Sequence, residues 1–208
     1  MIHIKNKNTS KEIIYKKSLK ISKNVSIRNS YFHRPVSIGE NSKIFNSNLK
    51  KYFICGNNNE ITNSEFGAFC SIGNNVTTNA GKHPVNWVST HLFKINSNAW
   101  KWYNNYKYKN IEKDKFEWKK NNIFGNDVWI GNNAVILTGL KISDGCIIGA
   151  NSVINTDLPP YSIVQGVPGK IIRFRFKKNI IAKLLKLKWW EKSDEEINKI
   201  NFKKYVDN

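Results

Sequence analysis

Four histidines, His3, His33, His83 and His91, are the residues of this chain best suited to move a proton at neutral pH, because imidazole titrates near neutrality without perturbation. His83 has the most specific surroundings. It lies in G-K-H-P-V-N-W-V-S-T-H-L-F (Gly81 to Phe93), where a regular pattern described below breaks off. An imidazole fixed at the edge of a rigid scaffold can serve as a general base. His3 and His33 have no motif around them and read as surface residues. Three cysteines, Cys55, Cys70 and Cys146, fit neither a metal spacing nor a disulfide framework. No Ser-His-Asp arrangement is readable, so nothing points to an acyl-enzyme nucleophile.

The scaffold that must hold such a base is written from Phe124 to Asp157. In sixes the stretch reads FGNDVW, IGNNAV, ILTGLK, ISDGCI, IGANSV, INTD. Position one is Phe124, Ile130, Ile136, Ile142, Ile148 and Ile154. Position two is small at Gly125, Gly131, Ser143 and Gly149, and position five is compact or apolar at Val128, Ala134, Leu140, Cys146 and Ser152. A period of six is neither helical nor a plain strand alternation. It marks a parallel β-helix, in which each unit supplies one short strand and a turn. Cys70 and Cys146 fall at position five and read as small core residues.

The same repeat starts at Val36 and becomes irregular after Cys55: Phe66 follows Ile61 by five residues, so a bulge or slipped corner is expected between Asn57 and Glu65. Residues 1–35 read as a cap on the narrow end of the stack, with short strands. Residues 36–176 form the β-helix domain, with I-I-R-F-R-F (Ile171 to Phe176) finishing its last coil. Within it, residues 77–121 form an inserted excursion with no hexad, carrying Trp87, Trp100, Trp102, Tyr103, Tyr106, Tyr108, Phe116 and Trp118. Such insertions map to loops, often on the binding face; packing on a neighbouring subunit is an equal reading. Residues 177–208 are helical. Ile180, Ile181, Leu184, Leu185 and Leu187 sit near helical spacing, Ser193 with Glu196 forms a capping box for a second helix from Asp194 to about Tyr205, and the segment covers the open end of the coil.

With 208 residues, 40% hydrophobic and 12% aromatic, the chain suits one folded domain. No leader-like apolar run opens the sequence and no stretch approaches a membrane span, so a cytoplasmic protein is expected. Lys and Arg number 34 against 15 Asp and Glu, a net charge of +19. Two readings stand: a basic surface facing anionic lipid, acidic saccharide or phosphates, or the composition of a sequence rich in Asn, Lys and Ile. Nucleic acid is not expected as a partner, since the lysines are scattered and no binding module is readable.

The repeats, followed by D-L-P-P-Y-S-I-V-Q-G-V-P-G-K (Asp157 to Lys170), resemble the hexapeptide acyltransferases. G-A-F-C-S-I-G-N-N-V (Gly67 to Val76), the Gly81–Phe93 stretch, D-V-W-I-G (Asp127 to Gly131) and the K-W-W-E-K-S-D-E-E-I tail resemble the xenobiotic and polysaccharide O-acetyltransferase branch. This resemblance implies a left-handed parallel β-helix, a homotrimer with sites between subunits, and acetyl-CoA as donor, with no metal expected. It implies direct transfer of acetyl to a hydroxyl, with His83 as the catalytic base. Trp129, Gly139, Ala150, Asn155, Thr156, Lys170 and Arg173 would bind the donor: the small residues admit the pantetheine arm, Asn155 and Thr156 meet the adenosine end, and the two cations meet phosphates. Gly166 and Pro168 would shape the turn before Lys170. Asn86, Trp87 and His91 would face the acceptor, and Asn86 stands where several relatives carry an acid, so it supplies hydrogen bonds without charge.

A saccharide of a surface polysaccharide, capsule or O-antigen is the favoured acceptor, and a chloramphenicol- or streptogramin-type drug is the alternative. A γ-class carbonic anhydrase would need three zinc histidines at interfaces, and only His83 and His91 are placed for that. A non-enzymatic β-helix scaffold draws support from the charge alone. Amino-sugar N-acetyltransferases share the fold but lack H-P-x-x-W-V-S-T.

Overall fold

Strands of two or three residues cannot stand alone, so each must pair with an equivalent strand in a neighbouring coil. The computed structural model describes residues 1–9, 14–16, 18–91 and 120–206. In chain order the strands are β1 (Ile2–Thr9), β2 (Ile14–Lys16), β3 (Leu19–Ile21), β4 (Val25–Phe32), β5 (Val36–Ile38), β6 (Lys43–Phe45), β7 (Asn48–Leu49), β8 (Phe53–Cys55), β9 (Glu60–Thr62), β10 (Ser64–Phe66), β11 (Ser71–Ile72) and β12 (Thr77–Ala80). Beyond the excursion come β13 (Asn122–Phe124), β14 (Trp129–Ile130), β15 (Val135–Leu137), β16 (Lys141–Ile142), β17 (Ile147–Ile148), β18 (Val153–Ile154), β19 (Ser162–Gln165) and β20 (Lys170–Phe174). Helices α1 (Lys178–Leu187), α2 (Asp194–Asn198) and α3 (Lys203–Val206) end the described chain.

Parallel pairing sorts these strands into three faces. Face one stacks β3, β5, β8, β11, β14, β17 and β19. Face two stacks β4, β6, β9, β12, β15 and β18, and face three stacks β4, β7, β10, β13 and β16. β4 serves both because it turns at Asn29 (φ 42°), pairing with β6 through Ser26–Arg28 and with β7 through Tyr31–Phe32. The product is a mainly β, three-sided solenoid, and its parallel coils are what the hexads predict. Position-one residues form its inner columns: Ile38, Cys55, Ile72, Ile130 and Ile148 on face one, Ile44, Ile61, Ile136 and Ile154 on face two, and Phe32, Leu49, Phe66, Phe124 and Ile142 on face three, all buried.

Equivalent residues lie 17 apart in the early coils, as Asn41 and Asn58 do, and 18 apart in the later ones, as Asn133 and Asn151 do. The missing residue is at the corner between faces two and three, where Ile27 to Phe32, Ile44 to Leu49 and Ile61 to Phe66 are all five-residue steps. The irregularity expected between Asn57 and Glu65 is therefore a tight corner at Asn63 (φ 43°), repeated at Asn46 and Asn29. It is not a single slip. The same short step conceals a coil from the hexad pattern: β3 and β4 already pair in parallel with β5 and β6, and Leu19, Ile21, Val25, Ile27 and Phe32 are buried. The stack starts at Leu19, one coil before Val36. Antiparallel β1 on β4 and β2 on β3 close that end.

Corners explain the asparagines. Left-handed backbone is costly for most side chains, and Asn is among the few that tolerate it. At the edge between faces one and two, Asn24, Asn41, Asn58, Asn75, Asn133 and Asn151 all have φ between 56° and 61°. Their amides form ladders, for example Asn41 to Asn58 at 3.2 Å and Asn133 to Asn151 at 3.0 Å. Beside this edge the coils leave no room for a side chain, since a Cβ on Gly39 would lie 2.2 Å from the Gly56 carbonyl oxygen.

The carboxyl-terminal segment differs from expectation in two ways. β20 does not finish a coil; it folds back antiparallel on β19, exposed along its length. The helices do more than cover the open end. Ile180 and Leu184 of α1 pack with Tyr161, and Arg175 Nη1 bonds Asp127 at 2.8 Å and the Gly145 carbonyl at 2.9 Å. The chain then runs back along the edge between faces three and one. There Trp189 packs on Phe69 with ring centroids 4.7 Å apart, Lys51 Nζ donates to the Lys192 carbonyl at 2.8 Å, and Tyr52 donates to Asp194. The Ser193–Glu196 capping box forms as predicted, but the helix it starts stops at Asn198 and α3 is separate.

On face three, Phe66 and Phe124 stack with centroids 4.0 Å apart across the coils that bracket the excursion. Phe66→Ala should cost about 3–5 kcal/mol. Urea unfolding that shows a loss below about 1 kcal/mol would mean this stack does not hold the two halves of the solenoid together.

Candidate active site

The excursion leaves the solenoid after Ala80, at the end of β12 on face two, and the chain returns on face three at β13. Register survives the interruption: Thr77 pairs opposite Val135, and Ser64 opposite Asn122. Its return is held by one atom. The Lys120 carbonyl oxygen accepts from Asn79 Nδ2 at 2.6 Å, Thr138 Oγ1 at 2.9 Å and the Gly139 amide at 3.1 Å. The loop's first residues are thus rooted at the edge between faces two and three.

His83 lies three residues beyond β12, with its ring exposed and Pro84 buried behind it. Its Nδ1 is 2.7 Å from the carbonyl oxygen of Thr90. A carbonyl oxygen can only accept, so Nδ1 carries the hydrogen and the neutral ring keeps its lone pair on Nε2. That is the arrangement a general base needs. Asn86 and His91 are exposed and Trp87 half-buried on the same loop, where the His91 amide donates to Ser89 Oγ at 3.2 Å. The aromatics from Trp100 to Trp118 lie outside the described residues.

The residues expected to meet the donor fall into two groups. Gly139 (φ 77°) sits at the loop-bearing edge, and exposed Asn155 and Thr156 occupy the next turn of that edge, between β18 and Leu158. The second group lies across face two. Ala150 is exposed at the edge between faces one and two, and Trp129 projects from face one with 54% of its surface exposed. Lys170 and Arg173 are exposed on β20 beside face one. The turn before them is fastened by the Gly166 amide to Ser152 Oγ at 3.2 Å and the Gly169 amide to the Val153 carbonyl at 2.8 Å. Half-buried Val135, Leu137 and Val153 separate the groups. One chain alone does not bring them together.

Three further observations bear on the chemistry. The cysteines are interior: burial pushes the Cys55 thiol up to about 11 and the Cys70 thiol to about 12, and raises Cys146 as well. They are neutral thiols at pH 7, with no role as nucleophiles. His33 is not a plain surface residue, because its Nε2 is buried without a hydrogen-bond partner. It lines a cavity of about 770 Å³, with Arg34, Lys50 and Lys51 beside the tail, on the edge away from His83. Finally, the loop-bearing edge carries a groove of about 320 Å³ ending at Gly81, which includes Arg28, Phe45 and Thr62. The sequence signal for that groove was present in the 17-residue spacing of Asn46 and Asn63, which marks one corner.

Because the thiols are buried and protonated, none of the three should react with a disulfide-exchange reagent at pH 8 in the folded protein, and all three should react once it is unfolded in guanidinium. Rapid labelling of even one in the native state would contradict the core positions assigned here.

Residues 123–156 match the family described as bacterial transferase hexapeptide (six repeats). The chain is 41% identical over 119 residues to a probable macrolide acetyltransferase of Lysinibacillus sphaericus, covering 57% of this chain and 63% of that protein. It is 44% identical over 84 residues to a chloramphenicol acetyltransferase of Klebsiella aerogenes, 40% of either chain. A galactoside O-acetyltransferase of Escherichia coli K12 is 47% identical over 49 residues, 24% of either chain. The matched region spans less than two thirds of each of these relatives. Residues 123–156 thus carry the hexapeptide repeat of that transferase family, and the relatives the chain matches are named as acetyltransferases.

Proposed function

We propose that this protein transfers an acetyl group from acetyl-CoA to a hydroxyl of a saccharide, with His83 as general base. The observation that carries the reading is the Nδ1–H bond from His83 to the Thr90 carbonyl, 2.7 Å long, which leaves Nε2 basic at the mouth of the loop. Acetyl-CoA supplies the activated acyl carbon. His83 Nε2 takes the hydroxyl proton as the new C–O bond forms, and returns it to the departing sulfur as the C–S bond breaks, giving an ester and the free thiol. No covalent acyl-enzyme is needed, in keeping with the buried cysteines.

The chain's residues fit the donor. Lys170 and Arg173 present exposed cations for phosphates, while Gly139, half-buried at the loop-bearing edge, has the Lys120 side chain packed against it. Since those groups lie on opposite sides of face two, the reading calls for a homotrimer in which one subunit's loop-bearing edge meets the next subunit's face one. Exposed Trp129, Val85 and Val88 suit burial in such a contact. Among the described residues no helix is long and apolar enough to cross a membrane; a cytoplasmic reaction is part of the proposal. The net charge of +19 suits an acidic acceptor or a lipid-bound one held at an anionic surface. A drug acceptor is the second reading, favoured by what the macrolide and chloramphenicol relatives are named for.

The test is thiol release from acetyl-CoA across acidic and neutral oligosaccharides, chloramphenicol and a streptogramin. Saccharide-dependent release supports the proposal, and release with drugs alone moves the protein to the second reading. His83→Ala should keep the fold, by circular dichroism, and lower turnover about 10²–10⁴-fold. Activity within tenfold of the parent would remove His83 from the role of base.

A further inference from the structure

The groove along the loop-bearing edge runs toward the amino-terminal coils, away from every residue assigned above to the donor. One wall is a column of outward side chains on face two, Arg28, Phe45 and Thr62, each one coil beyond the last. The other wall is the corner ladder of Asn46, Asn63 and Asn79, and Gly81 closes the end nearest His83. Asn46 Nδ2 donates to Asn63 Oδ1 at 3.3 Å, and Asn63 Nδ2 to Asn79 Oδ1 at 3.4 Å. A primary amide has two hydrogens and two lone pairs, so Asn46 and Asn63 each retain one of both for a ligand. These paired donor and acceptor sites repeat at the spacing of parallel strands, about 4.8 Å.

Arg28 fixes the far end. Its guanidinium lies 4.7 Å above the Phe45 ring, and among the described residues no carboxylate comes within ion-pair distance of it. The nearest acid on that face, Glu60, is taken up by Lys43 at 3.7 Å. A planar cation held over an aromatic face, with open hydrogen-bond positions, matches a carboxylate bidentately. The amide pairs match vicinal hydroxyls, and the exposed part of Phe45 matches the apolar face of a sugar ring.

We infer that this groove is an acceptor subsite for an acidic oligosaccharide. The chain of sugars lies along the Asn46–Asn63–Asn79 ladder, a carboxylate-bearing residue rests on Arg28, and the residue to be acetylated reaches past Gly81 to His83. This rests on the saccharide reading above and sharpens it. The acceptor is a polymer segment with a negative charge, recognised several sugars away from the reacting hydroxyl. A groove three coils long is about the length of a trisaccharide.

The probes are a uronic-acid-containing trisaccharide, its carboxyl-reduced form, and the corresponding monosaccharide. Binding is followed by saturation-transfer NMR and calorimetry without acetyl-CoA, so the result does not depend on turnover. Arg28→Ala should weaken the acidic trisaccharide at least tenfold and leave its reduced form and the monosaccharide unchanged. Thr62→Trp, which fills the groove from a solvent-facing position, should abolish binding of both trisaccharides. In turnover the same variants should raise KM for the trisaccharide and leave kcat with the monosaccharide intact. Trisaccharide binding unchanged by both substitutions would overturn the subsite while leaving the saccharide acetyltransferase standing. Absence of saccharide binding, together with acetyl transfer to a drug, would overturn both.

Discussion

Everything in this protein depends on one constraint: each coil must lie in register on the one before it. The strands are so short that a lone coil has almost no hydrogen bonding of its own, and the ladder between coils supplies it. Register is set from inside by the isoleucine and phenylalanine columns and from outside by the left-handed corners. The two agree because a corner asparagine can reach its counterpart only when the columns are aligned. Asn24 meets Asn41, and Asn41 meets Asn58, at 3.1 and 3.2 Å. A slip by one residue would break the ladder and turn every inward side chain outward.

The candidate site is an interruption that this constraint tolerates. The excursion begins and ends at the same edge, so the coils on either side still meet as though it were absent. The Lys120 carbonyl, with three donors converging on it, is where the return is enforced. His83 inherits the rigidity of that root while standing in a loop, and its own bond to Thr90 fixes which nitrogen is basic. The opposite edge is used differently. Tyr52 and Phe69 adopt left-handed backbone at φ 61° and 62°, an uncommon conformation for large aromatic residues. They stack on each other at 4.5 Å, and Trp189 of the tail covers Phe69. One edge is occupied by the protein's own carboxyl-terminal segment, while among the described residues of a single chain the loop-bearing edge carries a groove.

Legibility followed the step length. From Phe124 to Val153 every unit has six residues, so inward and corner positions could be assigned from the letters alone, and Cys146 was recognisable as core. From Leu19 to Phe66 the coils are one residue shorter, and the five-residue step breaks any search for sixes although the fold is equally regular. The pattern there is visible as a 17-residue recurrence: Ile27, Ile44, Ile61, or Ser30, Ser47, Ser64. β20 was misread because I-I-R-F looks the same in a parallel coil and an antiparallel hairpin. The motif around His83 marked it as a candidate base. The division of the residues proposed to meet the donor was not legible, because it depends on position around the coil rather than along the chain. Gly139 and Asn155 are about one turn apart and share an edge, while Ala150, between them in sequence, falls on another.

That division also bears on how such a scaffold acquires specificity. Residues on a solenoid face are fixed by the register and cannot move relative to one another, so a single face offers a flat and repetitive surface. Recognition of a particular acceptor needs groups that break the repetition. Along the amino-terminal part of the loop-bearing edge the repetition is an amide at Asn29, Asn46, Asn63 and Asn79, suited to any chain of hydroxyls, and the exceptions are Arg28 with Phe45 at one end and His83 at the other. On the proposed reading, a cation and a base separated by a fixed number of coils would measure the distance between a charge and a hydroxyl on the same ligand. Flexible loops can reshape themselves around a compact molecule, but a rigid spacing of this kind discriminates only among extended ones. The regularity that first revealed the fold is thus also an argument for a polymeric acceptor.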